Sequence, residues 1–118
     1  MSNMFFQQME VGQHAVFSYL VGDKESGEAF VVDPADNIDD IVRIANKESL
    51  IIKYIVNTHG HVDHIMGNAV MKNITQAQII IHESEAEYLR KIGDFWLELF
   101  NAQKSPPADV IVNEGDIV

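Results

Sequence analysis

The chain has 118 residues, room for one domain with a modest core. Apolar residues make up 47% and charged residues 22%, a globular composition rather than a disordered one. With 18 acids against 8 bases the formal charge is −10, which disfavours nucleic acid and anionic membrane surfaces as partners; with no cysteine, a disulfide framework, a thiolate metal site and a cysteine nucleophile are excluded.

Phe5 to Glu10 is predicted as a short strand, Gly12-Gln13 as a turn, and Ala15 to Val21 as a second strand. Gly22 to Gly27 is polar between two glycines, the pattern of a hairpin loop. Glu28 to Val32 is a third strand, ended by Asp33-Pro34, where proline removes a donor from the ladder. Ile38, Ile41, Val42 and Ala45 then fall at i, i+3, i+4 and i+7, the stripe of an amphipathic helix. Asp36 or Asn37 can cap it, and Asp39 and Asp40 in its first turn and Lys47 near its end suit the helix dipole. Leu50 to Val56 is nearly all apolar and reads as a central strand buried on both faces.

A second helix is expected next, with Ile65, Met66, Ala69 and Val70 as its apolar positions. Gly67 falls inside it, where close packing is one reason to keep a glycine. Gln78 to Ile81 is another buried strand, Glu83 to Lys91 a helix, and Phe95 to Phe100 an aromatic-rich helical piece broken by Ser105-Pro106-Pro107. Val110 to Val112 is a last short strand before a turn at Asn113-Glu114-Gly115-Asp116. With no internal repeat and no linker, residues 1–118 read as a single domain. No apolar run reaches the length of a bilayer span, and Met1 to Gln8 lacks the basic start and long apolar core of a secretion signal. A cytoplasmic location is the expectation.

The chemistry concentrates in Thr58-His59-Gly60-His61-Val62-Asp63-His64, three imidazoles and a carboxylate directly after an apolar strand. Neutral imidazole and carboxylate are favoured ligands of zinc and other borderline divalent ions. His59 and His61 are two apart, can point the same way and can grip one ion, while Asp63 and His64 can reach a second point nearby. The set makes either a crowded mononuclear site or half of a binuclear one. The bland alternative is a solvated, His-rich loop, and the order His-x-His-x-Asp-His between a buried strand and a helix argues against it.

On these residues, with Val31-Val32-Asp33-Pro34 upstream, Ile80-Ile81-His82-Glu83 downstream and Glu114-Gly115-Asp116 at the end, the chain resembles the N-terminal half of a metallo-β-lactamase-fold protein, in the style of the glyoxalase II-like branch. The resemblance implies an α/β fold of layered α+β type, a mixed sheet with flanking helices that is the N-terminal half of an αββα sandwich. It implies that His59 and His61 hold a first metal and Asp63 and His64 a second, with Asp63 also the catalytic residue that orients the attacking water. Asp33 matches a strand-end aspartate that supports the ligand loop from behind, although an Asp before proline can also be only a turn former. His82 reads as a structural residue or cap, and His14 takes no role. The implied cofactor is a divalent metal, zinc first and two ions in the complete fold, with iron or manganese as alternatives.

The family's second half supplies further histidines and an aspartate to the metals, and no histidine follows His82 here. The resemblance therefore implies a truncated domain, with a homodimer or a C-terminal half covering a sheet face left bare. As function it implies a metal-dependent hydrolase, metal-bound hydroxide attacking the ester, thioester or amide carbonyl of a small-molecule substrate. A thioester such as a glutathione conjugate is favoured over a β-lactam. One alternative is a mononuclear-iron persulfide oxidoreductase; the family's di-iron flavoproteins usually carry a glutamate where His61 stands. The other is a catalytically inactive half-domain that self-associates.

Overall fold

Burial alternates from residue to residue along the first two strands, which form a hairpin. Strand β1 (Met4–Val11) pairs antiparallel with β2 (Val16–Asp23), which pairs antiparallel with β3 (Glu28–Val32). The computed structural model describes residues 4–11, 16–58, 67–86 and 104–113. Strand β2 runs as far as Asp23, into the stretch expected to be loop. The turn that follows closes on Asp23, whose carboxylate accepts the Glu25 N–H (3.0 Å) and whose carbonyl accepts the Gly27 N–H (2.8 Å). Gly27 sits at φ 77, a conformation glycine adopts without a Cβ clash.

Past β3 the chain changes to crossover connections. Helix α1 (Ile38–Lys47) leads to β4 (Ile51–Asn57), and helix α2 (Asn68–Thr75) leads to β5 (Gln78–His82). Residues 83–86 are helical, and β6 (Val110–Val112) is the outermost strand on that side among the described residues. Strands β3 to β6 are mutually parallel, and among the described residues the mixed sheet has six strands in the order β1-β2-β3-β4-β5-β6.

One face of the sheet is covered. Leu20, Ala29, Val31, Ile55 and Ile79 pack there against Ile38, Ile41 and Ala45 of α1 and Met71 of α2 in one cluster. Each buried Leu or Ile contributes roughly 1.5–3 kcal/mol relative to exposure. The opposite face keeps large apolar side chains in the open: Met4, Phe6, Phe17, Phe30, Ile51 and Tyr54, with Phe6 at 61% and Ile51 at 62% exposure. An apolar patch of this kind marks an interaction surface in soluble proteins.

Three expectations need correcting. Strand β4 is central, but Ile51 and Tyr54 are exposed while Ile52, Ile55 and Asn57 are buried, so only one face is covered along most of it. Its pairing with β3 shifts register between Ala29 and Phe30, which oppose Ile52 and Tyr54. The extra residue, Lys53, is a bulge that lets Ile52 and Ile55 share the covered face despite being three apart. Asn37 occupies the N-cap of α1 but makes no side-chain cap bond. Its backbone is left-handed (φ 56) rather than extended, the shape from which a cap side chain reaches the first turn, and Asp36 instead accepts the Asn37 N–H at 2.8 Å. Gly67 precedes α2 as its N-cap rather than lying inside it, and the inward residues of that helix are Asn68 and Met71, with Ala69 and Val70 half-buried. Ile65, Met66, the turn at Gly12-Gln13, His14, residues 87–91, Phe95 to Phe100 and Glu114 to Asp116 lie outside the described residues.

Candidate functional site

The covered face ends in a polar cluster where β3 and β4 finish. In parallel α/β sheets this carboxyl end is where ligands bind, because the strand-to-helix loops gather there. Five polar side chains are buried among the described residues, Ser18, Asp33, Asn57, Asn68 and Ser105, and all belong to this cluster. None of the described buried side-chain polar atoms lacks a partner.

Asp33 is its hub. The residue directly after β3 is held at φ 47 before Pro34, a left-handed conformation that Asp tolerates better than most residues. Its N–H donates to the Val56 carbonyl (2.9 Å), and its own carbonyl accepts the Ser18 hydroxyl (2.5 Å) and the Ala35 N–H (2.7 Å). Its carboxylate turns toward β4, where one oxygen accepts the Thr58 N–H at 2.8 Å and the other accepts the Thr58 hydroxyl. The carboxylate thus fixes both the backbone and the side chain of the residue that precedes His59.

A second support joins the end of β4 to the start of α2. The Asn57 and Asn68 side-chain amides bond reciprocally: Asn68 Nδ2 donates to Asn57 Oδ1 (2.7 Å) and Asn57 Nδ2 donates to Asn68 Oδ1 (3.2 Å). Asn68 Nδ2 also donates to the Ser105 hydroxyl (3.0 Å), which donates in turn to the Pro106 carbonyl (2.8 Å). Beside them, Gly67 lies so close to the Asp33-Pro34 turn that a Cβ there would stand 1.9 Å from the Pro34 carbonyl oxygen. Close packing is therefore the reason for the glycine.

His59, His61, Asp63 and His64 lie outside the described residues. Among the described residues no three His, Asp or Glu side chains gather in a way that could hold a metal ion. His82 ends β5, and its Nδ1 accepts the Ser84 N–H at 3.0 Å, so it caps the helical turn at 83–86. On the flank, Lys72 of α2 pairs with Asp109, whose carboxylate also accepts the Ile79 N–H at 2.8 Å. The Lys72 ammonium, followed by the Ile79 bond, holds the Asp109 carboxyl below its ordinary range.

The amide pair and the two serines are the residues that sequence reasoning passed over. Asn57 carried a signal: a polar amide closing an apolar strand on the buried parity. Asn68 carried a weaker one, directly after a glycine at a helix start. Ser18 and Ser105 carried none, since their partners are 15 and 37 positions away.

Among the described residues no helix is long and apolar enough to cross a membrane. A family model described as the metallo-beta-lactamase superfamily matches residues 11–118. The mouse (Mus musculus) protein named persulfide dioxygenase ETHE1, mitochondrial, is 31% identical over 113 residues, covering 80% of this chain and 42% of its own length. The hydroxyacylglutathione hydrolase of Pelagibacter ubique is 31% identical over 88 residues, covering 70% of this chain and 36% of its own length. The crystal structure of the BLEG-1 B3 metallo-beta-lactamase superposes with a TM-score of 0.76 at 24% identity, over 93% of this chain and 54% of that one. The chain thus spans about half the length, or less, of the proteins it matches.

Proposed function

The chain belongs to the metallo-beta-lactamase superfamily, and from that premise we propose that it supplies part of the active site of a metal-dependent hydrolase. The donor set fits a divalent ion: three imidazoles and a carboxylate are borderline ligands suited to zinc, with iron and manganese as alternatives. His59 and His61 would hold one ion, Asp63 and His64 a second. When bound, such ions lower the pKa of a water and polarise a carbonyl. Asp63 would also orient the attacking water, and Asp33 holds Thr58, the residue just before the ligand set. The substrate is a small molecule with an ester, thioester or amide carbonyl; similarity to a hydroxyacylglutathione hydrolase favours a glutathione thioester.

The observation that supports this reading most is the bidentate grip of the Asp33 carboxylate on Thr58, one residue ahead of the His-x-His-x-Asp-His set. Metal analysis of the purified chain, with hydrolysis of a glutathione thioester in added zinc or manganese, tests it. Bound metal, and any turnover that accompanies it, lost in His59→Ala and Asp63→Ala is the expected result; a metal content unchanged in both variants would reject the assignment.

A second reading has its own support, the 31% identity to a persulfide dioxygenase over 80% of this chain. There the same ligands would serve one iron and the substrate would be a persulfide. Stoichiometric iron, with oxygen uptake on glutathione persulfide and no thioester cleavage, would put it first.

A further inference from the structure

The reciprocal amide pair between Asn57 and Asn68 is an expensive way to join a strand to a helix. Two primary amides leave water to make it, and both are almost fully buried, at 3% and 0% exposure. An apolar contact of the same volume would join β4 to α2 without that desolvation cost. What the amides add is a single geometry. Each presents one donor and one acceptor to the other, and the remaining Asn68 hydrogen is fixed on Ser105. A slip of the strand end against the helix start breaks both bonds together.

The two asparagines stand 11 positions apart, and every candidate ligand lies between them in the sequence: His59, His61, Asp63 and His64. Each end of that span has an additional tie to the turn after β3, Thr58 through the Asp33 carboxylate and Gly67 through its contact with Pro34. Fixing both ends of a segment removes much of its conformational freedom before any ligand arrives. A segment held at both ends has less ordering left to do when it binds an ion, which favours metal affinity.

We propose that the Asn57–Asn68 amide pair, backed by Ser105, is a positioning clasp that sets the metal affinity of the segment it brackets. The proposal rests on the metal-ligand reading of His59 to His64 above. These are positioning residues; none is offered as a ligand.

The test uses the full chain and zinc alone, with the dissociation constant read by competition against a chromogenic chelator and folding read by circular dichroism. Asn68→Ser is expected to weaken zinc binding by about tenfold or more, the usual cost of losing a residue that orients metal ligands. Ser105→Ala, which removes the bond from Asn68 and the hydroxyl's own bond to Pro106 but leaves the reciprocal pair, is expected to weaken it by about threefold. Ile41→Val, in α1 and away from the clasp, controls for stability and should leave zinc affinity within about twofold despite a lower unfolding midpoint. The visible spectrum of the cobalt(II)-loaded chain should change shape in Asn68→Ser and stay as in the parent in Ile41→Val.

If Asn68→Ser does not fold, Ser105→Ala decides, and a zinc affinity equal to the parent's overturns the clasp. A folded Asn68→Ser with parental affinity also overturns it, as does an equal loss in Ile41→Val, which would make the effect one of stability alone. A parent chain that binds none of zinc, cobalt(II), iron and manganese overturns the metal reading itself and the clasp with it; a metal-binding parent whose variants bind equally well overturns the clasp only.

Discussion

Where β3 and β4 finish, polar side chains are buried and bonded to one another; at the other end of the sheet, around the turn from β2 to β3, they lie at the surface. Ser18, Asp33, Asn57, Asn68 and Ser105 occupy the first end, where a carboxylate takes two bonds from one threonine and two amides satisfy each other. Lys24, Glu25, Ser26 and Glu28 occupy the second, and Lys24 meets Glu48 in a 2.5 Å pair at the surface. Buried polar groups are costly unless satisfied, so a fold selected for stability alone would place them as the second end does. Their concentration at one end marks where the chain gives up easy burial for defined geometry, and it coincides with the root of the His-rich segment.

Substitutions at the buried end should therefore cost most. Gly67→Ala is expected to have the largest effect, because the new Cβ would stand 1.9 Å from a backbone oxygen, which no side-chain rotation relieves. The loss should be about 3 kcal/mol or more by urea unfolding. A loss under about 1 kcal/mol would mean that the β3 exit and the start of α2 separate easily, and the contrast between the two ends would fail.

Asp33→Asn comes next. Asparagine tolerates the left-handed backbone at φ 47, so the change isolates the side chain. One of the two Thr58 donors then faces an NH2 group instead of an oxygen. A loss of about 1.5–3 kcal/mol is expected, the range for a bond to a charged acceptor, again by urea unfolding. Asp33→Asn as stable as the parent would reduce the aspartate to a turn former.

The Lys72–Asp109 pair lies between the extremes, with Asp109 about one-third exposed. The Lys72 ammonium is the main cause of its lowered pKa, with the Ile79 N–H second. A carboxyl depressed in the folded state contributes stability above its unfolded pKa and loses it as pH falls through the folded value. The contribution is thus complete by about pH 5 and fades below pH 4, the ordinary value being 3.8. Because the pair is partly exposed and screened, the effect should stay under about 1 kcal/mol. Urea midpoints at pH 5 and pH 3 should differ less in Lys72→Met than in the parent; an equal difference would assign the acid sensitivity elsewhere.

How much of this was legible depends on how local each feature is. Strand β3 has the bounds Glu28–Val32 expected of it, because the apolar run after the Gly27 turn and the Asp33-Pro34 stop are both local. Helix α1 starts at Ile38 with Ile41 and Ala45 buried, as its spacing indicated. The bulge at Lys53 was not legible, because it exists only relative to the register of β3. An apolar run also cannot say which of its faces will be covered, and Ile51 and Tyr54 of β4 stand exposed for want of a second layer among the described residues. The ligand set is local in the sequence and a motif can show it, whereas its supports come from 25 positions away in Asp33 and 37 in Ser105.

The smallest effect is expected from Lys24→Ala, at the exposed end. Lys24 pairs with Glu48 and lies 5.7 Å from the centre of the Phe5 ring, two contacts that look favourable on inspection. With nearly half of the Lys24 side chain in water, each is weakened by solvent and by the entropy of holding a long side chain still. Together they should contribute under about 1 kcal/mol at low salt and less at 1 M, where screening acts within about 3 Å. Urea unfolding at both ionic strengths measures this directly. If Lys24→Ala cost more than Asp33→Asn, exposure would not be what separates the two ends of the sheet, and the polar cluster at the β3 and β4 termini would lose its claim to a special role.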